Sequence, residues 1–336
     1  MKLDGIPRFS SHELTIGSLL GEGGFCIVHT ITKIQLNARE PLLEHDQMMR
    51  ENLVNSNDIV VVKRIRNDLI ESEERKAIAD LALEVNFLAQ LEHENIIKIR
   101  GISDHESFHK NSFAVLDLLR ETLDLRIKKR WKREVHKASG VFGCCCSNPD
   151  KLRDLWVDRL TVACDIANAI HFLHSRNILY RDLKPDNVGF DLDGVVKLFD
   201  FGLAKDVSNE HRIGGFYKLT GNTGSLRYMA PEVYLDLMYD ESVDVYSFGI
   251  LLWQLCDLTT PFVGFNRKLH ATMVIGRQHR PKINPKWQPG LKALISNCWA
   301  HESSLRPDFK TVLSLLFEEA NQLSKLFEKR YDSSFV

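Results

Sequence analysis

Hydrophobic periodicity changes once along this chain, and the change restricts it to a fold with a strand-rich first part and a helical remainder. LTIGSLLG (14–21), IVHTITKI (27–34), IVVVKRI (59–65) and SFAVLDLL (112–119) are short, rich in β-branched residues and separated by polar stretches, which reads as antiparallel sheet. One helix interrupts them. Over residues 71–92, Leu81, Glu84, Leu88 and Leu91 recur at spacings of three and four and share one helical face. A carboxylate therefore sits in an apolar stripe.

The remainder reads as helix, with Leu160, Ala163, Ala167, Ile170 and His174 on one face and a nearly unbroken apolar run, VYSFGILLWQL, from Val245 to Leu255 that predicts a buried helix. VGFDLDGVVKLF (188–199) reads as a hairpin turning at Asp193 and Gly194. No internal repeat is visible. With 336 residues the chain exceeds the usual single core. The expected class is α+β and bilobal: an antiparallel β lobe with one main helix over 12–119, and a larger, mainly helical lobe over 120–327. Two stretches read as inserted surface loops, the polar, acidic segment at about 37–58 and the segment at about 128–152. The latter carries the basic run RIKKRWKREVHK (126–137) and the triplet Cys144, Cys145 and Cys146.

A net charge of −1 with 26% charged and 44% hydrophobic residues is that of an ordinary globular protein, and nothing in it demands nucleic acid or membrane as a partner. Seven cysteines, an odd number, scattered mostly through apolar segments, read as free thiols in a reducing compartment. The opening MKLDGIPRFSSHE lacks a signal-peptide core, and no stretch approaches a membrane span. Cytosol or nucleus is the expected location. The basic run beside three cysteines invites a membrane-anchor reading, but a solvated loop is the expectation. Three adjacent cysteines cannot readily converge on one zinc tetrahedron.

Several residues carry chemistry. GEGGFCIV (21–28) places Gly21, Glu22, Gly23, Gly24 and Val28 where backbone amides can approach an anion without a side chain in the way. Lys63 lies on the third strand, and a buried Glu84 needs a cation, for which Lys63 is the natural partner. The pair would hold the ammonium over nucleotide phosphates. In YRDLKPDN (180–187), Asp182 can accept the proton of an attacking hydroxyl, Lys184 can offset charge on a moving phosphoryl group, and Asn187 can offer an amide oxygen to a hard cation. Asp200 opens DFG after an apolar strand and can be a second magnesium ligand. No GxxxxGK[ST] motif follows any strand, so the chain is not a P-loop NTPase.

In this order, with APE at Ala230–Glu232, DVYSFG at 244–249 and LRPDF around Arg306, the chain resembles a eukaryotic protein kinase catalytic domain from about Ser11 to about Phe327. The resemblance implies ATP and Mg²⁺ as cofactors and protein hydroxyls as substrates. It implies adenine contacts from Val61, Leu116, Asp117, Leu119 and Gly189, and a Glu232–Arg306 brace. LKPDN and Ser225, placed to bond Asp182 and Lys184, resemble serine/threonine kinases, whereas DVYSFGILLW and CWAHESSLRPDF resemble the tyrosine-kinase-like group. Arg181 is suited to phosphate recognition, with Thr220 and Thr223 as preferred phosphorylation sites. Oligomeric state, substrate and pathway are not readable.

The chain departs from the family pattern at Cys26, which replaces the third loop glycine, and at Tyr180, which replaces a histidine. Tyr180 is expected to complete an apolar column with Ile99, Leu88 and Phe201. Val61 replaces an alanine above the adenine and Gly189 a large apolar residue below it, with Phe190 or a hinge leucine able to compensate. An ATP-binding scaffold without phosphoryl transfer, and a tyrosine or dual-specificity enzyme, are the alternatives. Loss of a leucine-sized floor forfeits up to roughly 1.5–3 kcal/mol of apolar contact, so Gly189→Leu is expected to tighten nucleotide binding measured by titration; unchanged or weaker affinity contradicts this account.

Overall fold

A computed structural model describes residues 3, 5–37, 44–56, 58–140 and 147–322, and the cysteine triplet lies outside the described residues. The chain divides into two compact units. Unit one comprises residues 1–120 together with 191–202; unit two comprises 121–190 and 203–336. The first is a sheet with helices and the second is mainly helical, the α+β composition that the sequence leads one to expect.

Unit one is built on a six-stranded sheet. Strands β1 (Leu14–Glu22), β2 (Cys26–Ile34), β3 (Val60–Ile65), β4 (Ile99–Ser103) and β5 (Phe113–Asp117) run in the order β4-β5-β3-β2-β1, and the short strand Arg8–Phe9 adds in parallel to β4. Register is fixed by alternation, because slipping one residue would exchange the two faces of β3. Val60 and Val62 join Phe113, Val115, Leu14 and Phe9 in a core cluster on one face, and this leaves Val61 and Lys63 on the other.

Two sequence expectations change here. The segment at 37–58 is not simply a loop: α1 (Glu44–Asn55) lies within it, and its Leu53 belongs to the core cluster. A single buried leucine carries no readable period, which is why the helix escapes notice. Its anchor is Arg50, whose side chain is 2% exposed. Arg50 forms a buried ion pair with Glu13. Glu13 also accepts the backbone N–H of Ser10 at 2.9 Å and of Asn37 at 3.0 Å, and the Arg50 guanidinium lies 5.4 Å from the centre of the Phe9 ring. The second change is that α2 spans Glu71–Leu88 and ends before Leu91, although Leu81, Glu84 and Leu88 are buried along it as expected.

Residues 191–202 group with unit one because backbone polar groups tie them there. Ile97 N–H donates to the Leu198 carbonyl (3.0 Å), Leu198 N–H to Asn95 (2.8 Å), the Asn95 amide to Val196 (3.2 Å) and the Lys197 ammonium to Glu94 (2.6 Å). The turn at Asp193 and Gly194 forms as expected, with the Asp191 carboxylate accepting the N–H groups of Asp193 and Val195, and Gly194 at φ +86°.

Unit two packs α3 (Pro149–His174), α4 (Ser242–Asp257), α5 (Pro289–Cys298) and α6 (Phe309–Asn321). Asn148 caps α3 by accepting the Lys151 N–H at 2.9 Å, and Pro149 follows at the first helical position, where its missing N–H costs nothing. Every residue from Val243 to Cys256 is buried, so α4 is the central helix of this unit. Arg159 on α3 satisfies the last carbonyls of α4, donating to Leu255 at 3.1 Å and Cys256 at 3.0 Å. The basic segment is also helical rather than a loop: Leu123–Leu125, Arg126–Trp131 and Lys132–Ala138 follow one path whose middle part has π geometry. Its inward side chains, Ile127, Trp131 and Ala138, keep helical spacing but are outnumbered by the cations around them, which hides the amphipathic pattern.

Removing one partner of a buried ion pair strands the other charge. Arg50→Ala is expected to destabilise the protein by about 3 kcal/mol in urea denaturation, and the double variant Glu13→Gln/Arg50→Met by clearly less than the sum of the two single changes.

Candidate functional site

In unit one, β1 and β2 are joined by a tight turn in which Gly23 N–H donates to the Cys26 carbonyl at 2.8 Å. Gly21 pairs opposite Val28 and Glu22 opposite Ile27, and an added Cβ at Gly21 or Gly24 would meet nothing within 4 Å. The loop is braced by Arg66, which belongs to none of the sequence motifs above. Its guanidinium donates to the Gly23 carbonyl at 3.2 Å and pairs with Glu22 at 3.0 Å.

Register carries the next residues into place. Val28 lies opposite Lys63, and Val61 opposite Leu116. Lys63 projects to the α2 side of the sheet and donates to Glu84 at 2.5 Å, with Asp200 at 3.6 Å. Burial alone would favour a neutral Lys63, but the carboxylates of Glu84 and Asp200 outweigh it and raise its pKa above the ordinary lysine value. Burial also raises Glu84, with Lys63 opposing. Asp200 has φ +65° and a side chain that is 44% exposed, while the neighbouring Phe201 is fully buried with its ring 6.3 Å from that of Phe87. Leu116 is buried, and Leu119 half-buried. The Asp117 carboxylate is committed to Arg100 at 2.5 Å, and its backbone N–H donates to the Lys98 carbonyl at 3.3 Å.

In unit two, Asp182, Lys184, Asn187 and Ser225 converge. One Asp182 oxygen accepts the Ser225 N–H at 2.9 Å; the other accepts the Lys184 ammonium at 2.7 Å and the Asn187 amide at 2.9 Å. Lys184 also donates to the Ser225 hydroxyl at 2.9 Å. Asn187 spends its second amide proton on the Asp182 carbonyl at 3.0 Å, so its donors are used and its oxygen is the pole left for a cation. Glu232 and Arg306 form a two-bond pair at 2.5 and 3.0 Å.

The model of the protein kinase domain family matches residues 49–317. The chain belongs to that family. It is 30% identical to the serine/threonine-protein kinase STY46 of Arabidopsis thaliana over 281 residues, 82% of this chain and 42% of the relative. It is 33% identical to the serine/threonine-protein kinase VIK of Arabidopsis thaliana over 264 residues, 76% of this chain and 54% of the relative. A third match, 38% over 159 residues, is to the dual specificity protein kinase shkB of Dictyostelium discoideum, covering 46% of this chain and 23% of the relative. The chain thus spans about half or less of each relative's length.

In this kinase domain the departures from the family pattern take definite form. Cys26 is an extended strand residue paired with Ile65, so the backbone there has no need of glycine. Burial pushes its thiol up to about 11, with Lys63 pulling the other way, and it is protonated at neutral pH. Gly189 lies opposite Thr122. Phe190 is not available to replace the missing floor: it is fully buried and stacked under the Arg126 guanidinium at 3.1 Å. Ile99, Leu88 and Phe201 are buried in unit one, and Tyr180 is buried in unit two.

Two residues to which the sequence motifs assigned no role hold the Tyr180–Asn187 loop of the kinase domain. Asp244, fully buried on α4, accepts the N–H groups of Tyr180 at 2.8 Å and Arg181 at 2.7 Å, and it pairs with His174 at 2.9 Å. A carboxylate at the head of an otherwise apolar helix was the signal. Gly224 has φ +94°, and a Cβ there would lie 2.4 Å from the Arg181 carbonyl. Arg181, itself at φ +65°, donates to the Leu203 carbonyl at 2.7 Å, the Tyr239 hydroxyl at 3.1 Å and the Thr220 hydroxyl at 3.3 Å. Thr223 instead donates within its own turn, to Thr220 and Gly221.

Gly224→Ala must displace the backbone beside Asp182. Its kcat is expected to fall at least tenfold, about 1.4 kcal/mol of barrier, with nucleotide affinity measured by titration nearly unchanged. Wild-type turnover in this variant contradicts the assigned contact.

Proposed function

We propose that this kinase domain transfers the γ-phosphate of ATP to serine and threonine hydroxyls of protein substrates. The observation that carries the reading is the convergence of Asp182, Lys184, Asn187 and Ser225 through hydrogen bonds of 2.7–2.9 Å. Asp182 acts as the base that receives the substrate hydroxyl proton. Its orientation is held by the Ser225 N–H and the Asn187 amide, so one geometry is presented to the substrate rather than several. Lys184 lies between Asp182 and Ser225, where its charge offsets the anion that develops on the transferred group. The lysine two residues after the base and the hydroxyl at Ser225 favour serine and threonine over tyrosine, and the names of the Arabidopsis relatives agree.

Lys63, held cationic by Glu84 and Asp200, is the group that we assign to the nucleotide phosphates, and Glu84 positions it. We assign magnesium binding to Asn187, whose oxygen is open, and to Asp200, whose carboxylate is partly exposed; each is by itself an oxygen ligand suited to that cation. Magnesium, when bound, neutralises phosphate oxygens. For the adenine we assign Val61, Leu116, the Asp117 backbone, Leu119 and Gly189, with Gly21, Glu22, Gly23, Gly24 and Val28 above the phosphates.

Arg181 favours Thr220 over Thr223 as the regulatory phosphorylation site. A phosphate on Thr220 would replace one weak hydrogen bond by charge-assisted ones to the same guanidinium. Four described cysteines are free thiols, which agrees with a reducing compartment, cytosol or nucleus. Among the described residues no helix is long and apolar enough to cross a membrane.

Incubation with γ-labelled ATP, Mg²⁺ and a mixed peptide substrate is expected to label serine and threonine. Asp182→Asn should lower kcat on the order of 10²–10⁴-fold while nucleotide binding persists. No transfer by the wild type overturns the enzyme reading in favour of an ATP-binding scaffold; equal transfer by the variant overturns the role assigned to Asp182; label on tyrosine as well would assign dual specificity.

A further inference from the structure

The helical path over residues 123–138 is set by its inward side, where Ile127, Trp131 and Ala138 are 1%, 0% and 7% exposed. The Trp131 ring nitrogen donates to Asp158 at 2.7 Å, and Arg126 pairs with Glu121 at 2.8 Å. Everything cationic beyond Arg126 faces out: Lys128, Lys129, Arg130, Lys132, Arg133 and Lys137 are exposed. Helical spacing of four puts Lys128, Lys132 and His136 in one row, with Arg133 beside it.

That row forms one side of an open depression of about 550 Å³. Lys128, Lys132, Arg133 and His136 line it, Val135 and Leu258 give it apolar surface, and Asp257 is its one carboxylate. The Asp257 carboxylate already accepts the Thr259 hydroxyl. Lys128 shares its charge with Asp124 at 2.8 Å. Lys132 and Arg133 have no carboxylate partner among the described residues. Lys132 and Arg133 thus face this space unpaired, with cations outnumbering its single carboxylate, Asp257, and none of these groups takes part in the chemistry assigned above.

We infer that this pocket docks an acidic, phosphorylated segment of a protein partner, holding a phosphoserine or phosphothreonine against Lys132 and Arg133. Arg133 offers a planar fork that matches two phosphate oxygens, and Lys132 adds a point charge. The volume falls within the range of about 300–1,000 Å³ typical of ligand sites and exceeds what a lone phosphate needs, so neighbouring residues of the segment fit beside Val135 and Leu258. A bilayer is the poorer match. Of the apolar side chains on this helix only Leu125 and Val135 reach the surface, which is too few to make an apolar stripe that could enter a membrane.

The test uses the intact chain and reads binding, so its outcome is independent of whether the enzyme transfers phosphate. Fluorescence anisotropy compares a peptide library bearing one fixed phosphoserine among acidic residues with its unphosphorylated counterpart, and with phosphatidylserine vesicles. The phosphorylated library should bind preferentially, and Lys132→Ala/Arg133→Ala should weaken it about tenfold or more, with the helical circular dichroism signal preserved. Lys129→Ala/Lys137→Ala, which removes the same charge outside the depression, should weaken it no more than about twofold by screened long-range attraction. Equal loss in both pairs of variants, no preference for phosphoserine, or binding to vesicles alone overturns the proposal.

Discussion

The Tyr180–Asn187 loop depends on one buried carboxylate. Asp244 accepts two consecutive backbone N–H groups, those of Tyr180 and Arg181, from within the most apolar helix of the second unit. Those N–H groups would otherwise be buried orphans, and Asp244 would be an unpaired buried anion. Each satisfies the other. Arg181 can then remain at φ +65°, and the residues after it, Asp182 to Asn187, are delivered in one conformation. The strain at Arg181 is sustained by the bonds around it, Leu203 and Tyr239 among them.

Unit one solves a parallel problem with opposite charge. Lys63 is carried on a strand whose register is fixed on both sides, by Val28 and by Ala114. The ammonium meets Glu84 because helix spacing puts that carboxylate in the buried stripe, and it meets Asp200 because Asn95, Ile97 and Lys197 tie residues 191–202 to this unit. The three-membered set is one cation between two carboxylates, which explains why Lys63 remains charged despite burial.

Much of this was legible in the sequence because local spacing encodes it. Strand alternation around Lys63, the three- and four-residue spacing through Glu84, and the short distances between Asp182, Lys184 and Asn187 each place side chains without knowledge of the fold. What was not legible depends on partners far apart in the chain. Glu13 and Arg50 are 37 positions apart, so a polar segment with one apolar anchor read as a loop. Asp244 reaches back more than 60 positions to the loop that it holds. The helix at 126–138 was obscured for another reason: its cations outnumber its buried residues, and composition masked the period. Leu91 shows the converse limit, since spacing continues past the point where the helix actually stops.

The small helix α1 changes what the first sheet can tolerate. Residues between two strands usually accept shortening, because loop length alters chain entropy only slowly. Here they add Leu53 to the core cluster that holds Val60 and Val62, and they supply Arg50 to Glu13. Deleting them would uncover Phe9, Val60, Val62 and Phe113 and leave Glu13 without its cation. A stretch that reads as a spacer between strands is a keystone of the sheet.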